Sequence, residues 1–231
     1  MLLVREPLHN RRAAMTPRTL RTADIPSRVL TILFNTMANA DMELTHRSPW
    51  ELLAATILSA QCTDKRVNQV TPALFKRYPT PHDIAQAKQT ELEALIKPTG
   101  FYKSKARHLI GCGQALCERF HGNVPATIEE LTSLPGVGRK TANVMLGTAF
   151  GQPAVVVDTH VKRVANRLNL TKSDDPEQIE QDLQRAFPQS RWTGLAQRLL
   201  LHGRYVCLAR SPQCRNCVLY DLCHWKGKQL R

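Results

Sequence analysis

The sequence predicts an all-α protein, and three observations carry that expectation. Apolar residues recur at helical spacing in one segment after another, and most of these segments open on a Ser, Thr or Asp able to cap a helix. The one strand-like run, Pro153 to Val157, is too short to found a sheet. No internal repeat, low-complexity stretch or Pro/Gly-rich linker interrupts the pattern. About ten helices are expected on this reading.

In "SPWELLAATILSA", Ser48 is the expected N-cap, Pro49 the first helical position and Glu51 the partner in a capping box. Trp50, Leu53, Ala54, Ile57 and Leu58 then form one apolar face. "TPHDIAQA" and "TELEALI" predict short helices capped by Thr80 and Thr90, and a longer one is expected from about Ser104 to Phe120. "TIEEL" repeats the capping box with Thr127 and Glu130. The next helix begins near Val137–Gly138 and runs to Phe150, with Ala142, Met145, Leu146, Ala149 and Phe150 on one face. "DTHVKRVANRL" starts at an Asp cap with Val161, Val164, Ala165 and Leu168 inward, and "DPEQIEQDLQRAF" starts at Asp175 and Pro176. With no linker between halves, any second domain has to combine segments from both ends of the chain.

Lys and Arg total 32 against 19 Asp and Glu, a formal charge of +13. So basic a surface calls for an anionic partner. Nucleic acid is the expected one. A membrane is excluded as partner, because no basic amphipathic stripe and no run of eighteen apolar residues occurs. The first residues are Arg-rich and acid-poor, with too short an apolar start for a secretory leader. A basic arm over residues 1–22 is expected, with a transit peptide as the alternative, and the protein is expected to be intracellular and soluble.

Seven cysteines, an odd number, argue against a disulfide framework. Cys62, Cys112 and Cys117 lie on apolar helical patterns and are expected to pack as small hydrophobes. Cys207, Cys214, Cys217 and Cys223 are spaced C-x6-C-x2-C-x5-C. Four thiols within so short a stretch converge on a metal centre, either zinc or an iron–sulfur cluster, and the unequal spacing favours a cubane. Arg210 and Arg215 fall inside the Cys loops, where they offer phosphate contacts.

"TIEELTSLPGVGRKTANVML" reads as helix, tight turn, helix. Its second helix opens on Arg139 and Lys140, where the positive helix end disfavours cations. An anionic ligand resolves the conflict. Gly136 and Gly138 are expected to allow positive φ and to leave N–H groups uncovered, and these with the helix end make a phosphate site. The helix end and neighbouring cations are expected to depress the pKa of Lys140 and so to free its amine as a nucleophile. Asp158, after the apolar run "VVV", is both an expected N-cap and a candidate acid partner.

Together "LSAQCTD", "LPGVGRKTANVML", "VVVDTH", "LLLHGRYVC" and the cysteine tail resemble the endonuclease III family, the iron–sulfur helix–hairpin–helix DNA glycosylases with AP lyase activity. The resemblance covers about residues 25 to 225. It implies two helical domains with damaged double-stranded DNA across the cleft between them. One is a six-helix domain over 41–151 that contains the hairpin at about 127–150. The other is a cluster domain that joins 23–40 to 152–231, with its iron–sulfur loop at 207–223. It further implies a monomeric base-excision repair enzyme that flips an oxidised pyrimidine out of the duplex. Lys140 matches the family's nucleophile, which attacks C1′, forms a Schiff base and nicks the strand by β-elimination. Asp158 matches the carboxylate that assists it. Gln61 matches the residue that fills the gap left by the flipped base, and Cys207, Cys214, Cys217 and Cys223 match the ligands of one [4Fe–4S] cluster. Pro135, Gly136, Val137, Gly138, Arg139, Thr141 and His160 are the expected DNA contacts. Phe101 departs from the pattern: it stands where the family has an aliphatic wedge beside the opposite base, which leaves base preference open.

Two alternatives stand beside this reading. An adenine-mismatch glycosylase shares the fold, cluster and aspartate, but lacks this lysine and carries a further C-terminal domain. A non-catalytic DNA-binding module would use Lys140 and Asp158 only as contact and cap.

Overall fold

A computed structural model describes residues 25–229, so the expected basic arm over 1–22 lies outside the described residues. Among them are eleven α-helices and no strand. In chain order they are α1 (Ile25–Thr36), α2 (Pro49–Leu58), α3 (Asp64–Arg77), α4 (Pro81–Ala85), α5 (Gln89–Ile96) and α6 (Tyr102–Phe120). There follow α7 (Ile128–Thr132), α8 (Arg139–Val144), α9 (Thr159–Arg167), α10 (Pro176–Ala186) and α11 (Trp192–Tyr205). A π-helical turn, Met145–Ala149, extends α8. The strand-like run Pro153 to Val157 is an extended segment without strand partners, with Ala154 and Val155 buried.

Caps account for most helix starts. Ser48, Thr63, Thr80, Thr127, Asp158 and Asp175 each accept a backbone N–H from the first turn of the helix that follows. The details differ from expectation at three places. Glu51 does not close a capping box on Ser48. Its carboxylate accepts the Arg47 N–H at 2.8 Å and pairs with the Arg47 guanidinium at 3.0 Å. At Thr127 the Glu130 carboxylate accepts the cap's own hydroxyl instead of its N–H. Helix α5 begins at Gln89 after an uncapped Lys88, so Thr90 is inside the helix.

Buried apolar side chains fall into two cores. The first gathers residues from Leu44 to Ala154 around α2, α3 and α6. Nine of the ten residues of α2 are buried, so this central helix is covered on all sides and not only on its Trp50–Leu58 stripe. Thr56 tolerates burial because its hydroxyl donates to Leu52 O at 2.7 Å. The second core joins Val29 and Leu33 of α1 to residues from Val155 to Leu222. Val161, Val164, Ala165 and Leu168 all turn inward there, as their spacing predicts.

Polar bonds tie the two cores. Arg204 of α11 pairs with Asp64 of α3 at 2.6 Å and with Glu43. Thr193 accepts the Ala154 N–H at 3.1 Å, and Gln197 donates to Asp41 O at 2.7 Å. The seam between the cores is therefore lined by charged and polar groups.

Candidate active site

The hairpin is built from its buried residues outward. Leu134 and Val137 are 3% and 5% exposed, which fixes the turn between α7 and α8 against the first core. The Val137 N–H donates to Leu134 O at 3.1 Å across Pro135 and Gly136. Gly136 has φ +79, the conformation a type II turn requires after proline. A Cβ there would also come within 2.7 Å of the His108 Cβ on α6. Gly138 is a correction to the expectation from sequence. Its φ is −94 with open space around the missing Cβ, so the fold itself places no demand for glycine there. Val137 likewise spends its side chain on the core and its N–H on the turn.

No side chain caps α8, whose first bond runs from the Ala142 N–H to Gly138 O at 3.0 Å. The N–H groups of Arg139, Lys140 and Thr141 thus begin a helix without an internal acceptor. Arg139 does not depend on a ligand for charge balance. Its Nε and Nη2 donate to the Glu180 carboxylate of α10 at 3.0 and 3.1 Å. Glu180 is 6% exposed, and its hydrogen bond holds the Arg139 pKa above its usual value.

Lys140, the next residue, is exposed at the mouth of a cleft of about 710 Å³. Asp158 lines the same cleft, together with Ser59, Asp64, Asn143 and Arg204. The buried Ala154–Val155 run delivers Asp158 to the start of α9. There Oδ1 accepts both the His160 and Val161 N–H groups at 2.8 Å. One oxygen caps the helix, and Oδ2 carries no such bond. The pair can hold an electrophilic carbon between an amine and a carboxylate.

Gln61 and His160 border the continuation of this cleft together with Lys140 and Asp158. Gln61 is exposed in the turn between α2 and α3, with a left-handed φ of 53. His160 is half-buried, its Nδ1 3.1 Å from Arg163 Nη2, and Thr141 is half-buried on α8. Phe101 stands apart from the cleft lining. It precedes α6 with φ 47 and is 67% exposed, the most exposed large apolar side chain among the described residues. The buried Lys105 braces its loop by donating Nζ to Thr99 O at 2.8 Å, and the Lys105 N–H donates to Phe101 O at 3.0 Å.

Cys207, Cys214, Cys217 and Cys223 line one cavity between the end of α11 and the tail. Burial pushes the Cys217 thiol up to about 11, and the other three cysteines add to the rise. Arg167 Nη1 donates to Cys207 Sγ at 3.2 Å, and His202 Nε2 lies 3.5 Å from Cys217 Sγ. Four soft donors, crowded enough to resist ionisation and supplied with N–H groups, suit a cationic centre that takes thiolates. Among the described residues no group of three or more His, Cys, Asp or Glu is arranged to hold a metal ion. Of the remaining cysteines, Cys112 is fully buried, Cys117 is half-buried, and Cys62 lies in the turn after α2 and not on a helix.

A family model for HhH-GPD superfamily base excision DNA repair proteins matches residues 54–189. The chain belongs to that superfamily. It is 50% identical to endonuclease III of Synechocystis sp. over 196 residues, which is 84% of this chain and 90% of the relative. It is 45% identical to endonuclease III of Bacillus subtilis, over 80% of this chain and 85% of the relative. A solved structure of a trapped endonuclease III–DNA covalent intermediate, in an estranged-adenine complex, superposes with a TM-score of 0.84 at 43% identity. That match covers 94% of this chain and all of the other. The all-helical class read from the sequence is thus the class of the family.

Several residues at the site escape the sequence. Glu180 reads there as one more acid on an amphipathic helix, and Asp64, Glu43 and Arg204 carry no motif that would pair them. Arg167 and Trp225, which stack at 3.7 Å beside the cysteines, are equally silent. Each depends on contacts between segments far apart in the chain.

Proposed function

We propose that this protein is a base-excision repair enzyme of the endonuclease III type, a DNA glycosylase with AP lyase activity. The observation that carries the reading is that an exposed Lys140 and Asp158, whose Oδ1 alone is engaged in the helix cap, line one cleft. The likeness to endonuclease III over most of the chain supports it. The two cores support a division into 41–151 and 23–40 with 152–231, apart from Ala154, which packs in the first core; damaged duplex DNA lies along the seam, bound by a monomer.

The uncapped start of α8 and Gly138 receive a phosphate of the damaged strand. Gln61 enters the gap left by the flipped base, and Phe101 enters from the opposite strand. Val137 contributes by shaping the turn. The Lys140 amine attacks C1′, the glycosidic bond breaks and the base leaves with its electron pair. Asp158 Oδ2 stabilises the positive charge on the sugar and takes up the proton released from nitrogen. The C1′–O4′ bond then opens, O4′ taking the proton held by Asp158, and the resulting Schiff base acidifies C2′; loss of that proton expels the 3′ phosphate with the electrons of the C3′–O bond, and hydrolysis returns the free lysine. Oxidised pyrimidines are the substrate class.

Cys207, Cys214, Cys217 and Cys223 would hold one [4Fe–4S] cluster, which supplies a structural crosslink for a tail with little core of its own. Arg167 and His202 orient the sulfur ligands. Borohydride reduction tests the mechanism. Wild-type protein is expected to be fixed covalently to abasic duplex DNA. Lys140→Gln should lose trapping, excision and nicking while keeping most DNA affinity, because one charge among many is removed. Trapping at wild-type yield in that variant would place the chemistry on another amine.

A further inference from the structure

The pairing of Arg139 with Glu180 points to a role in catalysis for a residue outside the cleft motifs. Glu180 is 6% exposed on α10, yet its carboxylate accepts four hydrogen bonds. Two come from Arg139, one from Asn143 Nδ2 at 3.1 Å and one from Gln184 Nε2 at 3.2 Å. Asn143 is itself 5% exposed and also donates to Val155 O at 3.3 Å, in the segment that leads to Asp158. Arg139 and Asn143 flank Lys140 on α8, one residue before it and three after. One carboxylate therefore grips the turn that carries the lysine and, through Asn143, reaches the strand-like run that carries the aspartate. Arg139, Lys140, Asn143, Glu177 and Glu180 line one cleft, so the grip and the lysine share a surface.

The geometry points to Glu180 as a positioning residue for Lys140, one that fixes the first turn of α8 and cancels the charge of Arg139 beside the amine. This rests on Lys140 being the nucleophile. Ionisable groups also face the site from the surrounding elements. On α9 and its cap these are Asp158, His160 and Lys162; on α3 and α11, Asp64 and Arg204; and before α2, Glu43. Asp175 and Glu177 accompany Glu180 at the start of α10. Most already have fixed partners. Arg204 holds Asp64 and Glu43, Lys162 holds Asp174 at 3.0 Å, and Asp175 caps α10. The Arg139–Glu180 pair is the balance that a single substitution upsets next to Lys140. Without Glu180, Arg139 would stand as an uncancelled cation beside Lys140, and the turn that carries the lysine would lose its tether.

The test is the pH dependence of borohydride trapping in the full-length protein, at saturating abasic duplex so that binding does not limit the yield. Glu180→Gln removes a negative charge, which favours the neutral amine, so half-maximal trapping should move to lower pH. The maximal trapping rate should fall at the same time, because the grip on Arg139 and Asn143 is weakened. Arg139→Gln removes the positive charge and should move the midpoint upward. The double variant should return it close to wild type. Glu180→Asp keeps the charge and should leave the midpoint in place while lowering the maximal rate. A purely structural role would reduce yield without moving midpoints in opposite directions. Midpoints of Glu180→Gln and Arg139→Gln that coincide with wild type, or that move the same way, overturn the proposal. Should Glu180→Gln not fold, the half-exposed Arg139→Gln and the charge-preserving Glu180→Asp decide it by the same criterion. Absence of trapping by the wild-type protein would instead refute the lysine mechanism itself.

Discussion

Lys140 and Asp158 meet across one cleft although they belong to helices anchored in different cores, α8 in the first and α9 in the second. Asp158 Oδ1 caps α9, and that cap can be separated from the catalytic part proposed for Oδ2. Asp158→Asn retains the cap, since Asn caps as well as Asp. It should melt close to wild type yet excise damaged bases ~10²–10⁴-fold more slowly, the usual loss for a positioned acid–base or charge-stabilising group. Asp158→Ala should add a stability loss of about 1 kcal/mol from the missing cap. Nicking of a preformed abasic site should suffer less in both, because no base has to leave. Normal excision by Asp158→Asn would reduce this residue to a cap. Single-turnover excision together with a thermal melt gives both answers.

The two hairpin glycines should part company. Gly136→Ala meets a left-handed φ and a 2.7 Å approach to His108, so it should cost stability, by ~1–3 kcal/mol for a strained position. Gly138→Ala meets neither obstacle and should melt within ~0.5 kcal/mol of wild type, as surface changes do. Its affinity for an abasic-analogue duplex should nevertheless fall, because the methyl group stands where a phosphate would approach the helix end. Unchanged affinity in Gly138→Ala would move the phosphate contact elsewhere.

Legibility in the sequence followed the range of the interactions. The helix starts at Thr80, Asp158 and Asp175, and the inward stripe of α9, depend on residues within a turn or two, and all were readable. The all-helical class followed from the same local signals. Helices α1, α3 and α11 were not announced individually. Pro72 interrupts the pattern of α3, and α11 follows Arg191 with no side-chain cap. At the site, Lys140 and Asp158 were visible because a turn motif and a cap mark them. Arg139 was visible too, but its partner was not: Glu180 is 41 residues away and reaches it only through tertiary packing. Gly138 was misjudged because a glycine beside a turn suggests positive φ, whereas that strain is borne by Gly136 alone.

Phe101 holds its ring in solvent at a φ of 47, a conformation disfavoured for a bulky residue and kept in place by the Lys105 brace. Strain of this kind persists where surrounding structure imposes it. Phe101→Ala should lower base removal more than nicking of a preformed abasic site, since the latter needs less help with flipping. Stability should change little, because the ring covers no core. Equal losses in the two assays would show that the ring does not act in flipping.

The cysteine cavity makes the last prediction. Protein purified without oxygen should carry iron and inorganic sulfide in cubane proportion and the broad visible absorbance of such a cluster. Zinc in its place, in protein prepared with and without oxygen, would contradict the cluster. Around the sulfurs, Arg167 makes four contacts: it donates to Cys207 Sγ, to Leu208 O at 2.8 Å and to Ala209 O at 2.9 Å, and it stacks on Trp225 at 3.7 Å. Cys214 has no comparable neighbours to replace it, being buried with its sulfur facing the cavity. Cys214→Ser should therefore lose the metal centre and, with it, the order of the tail, since a loop held by a metal has no core of its own. DNA affinity should fall with it, because Arg210 and Arg215 ride on that loop. Arg167→Lys keeps a charge but neither the fork of donors nor the stacking face. It should retain the cluster while making it easier to remove with a chelator. Loss of iron from Cys214→Ser with DNA affinity intact would separate the centre from the DNA surface and leave it a purely internal brace.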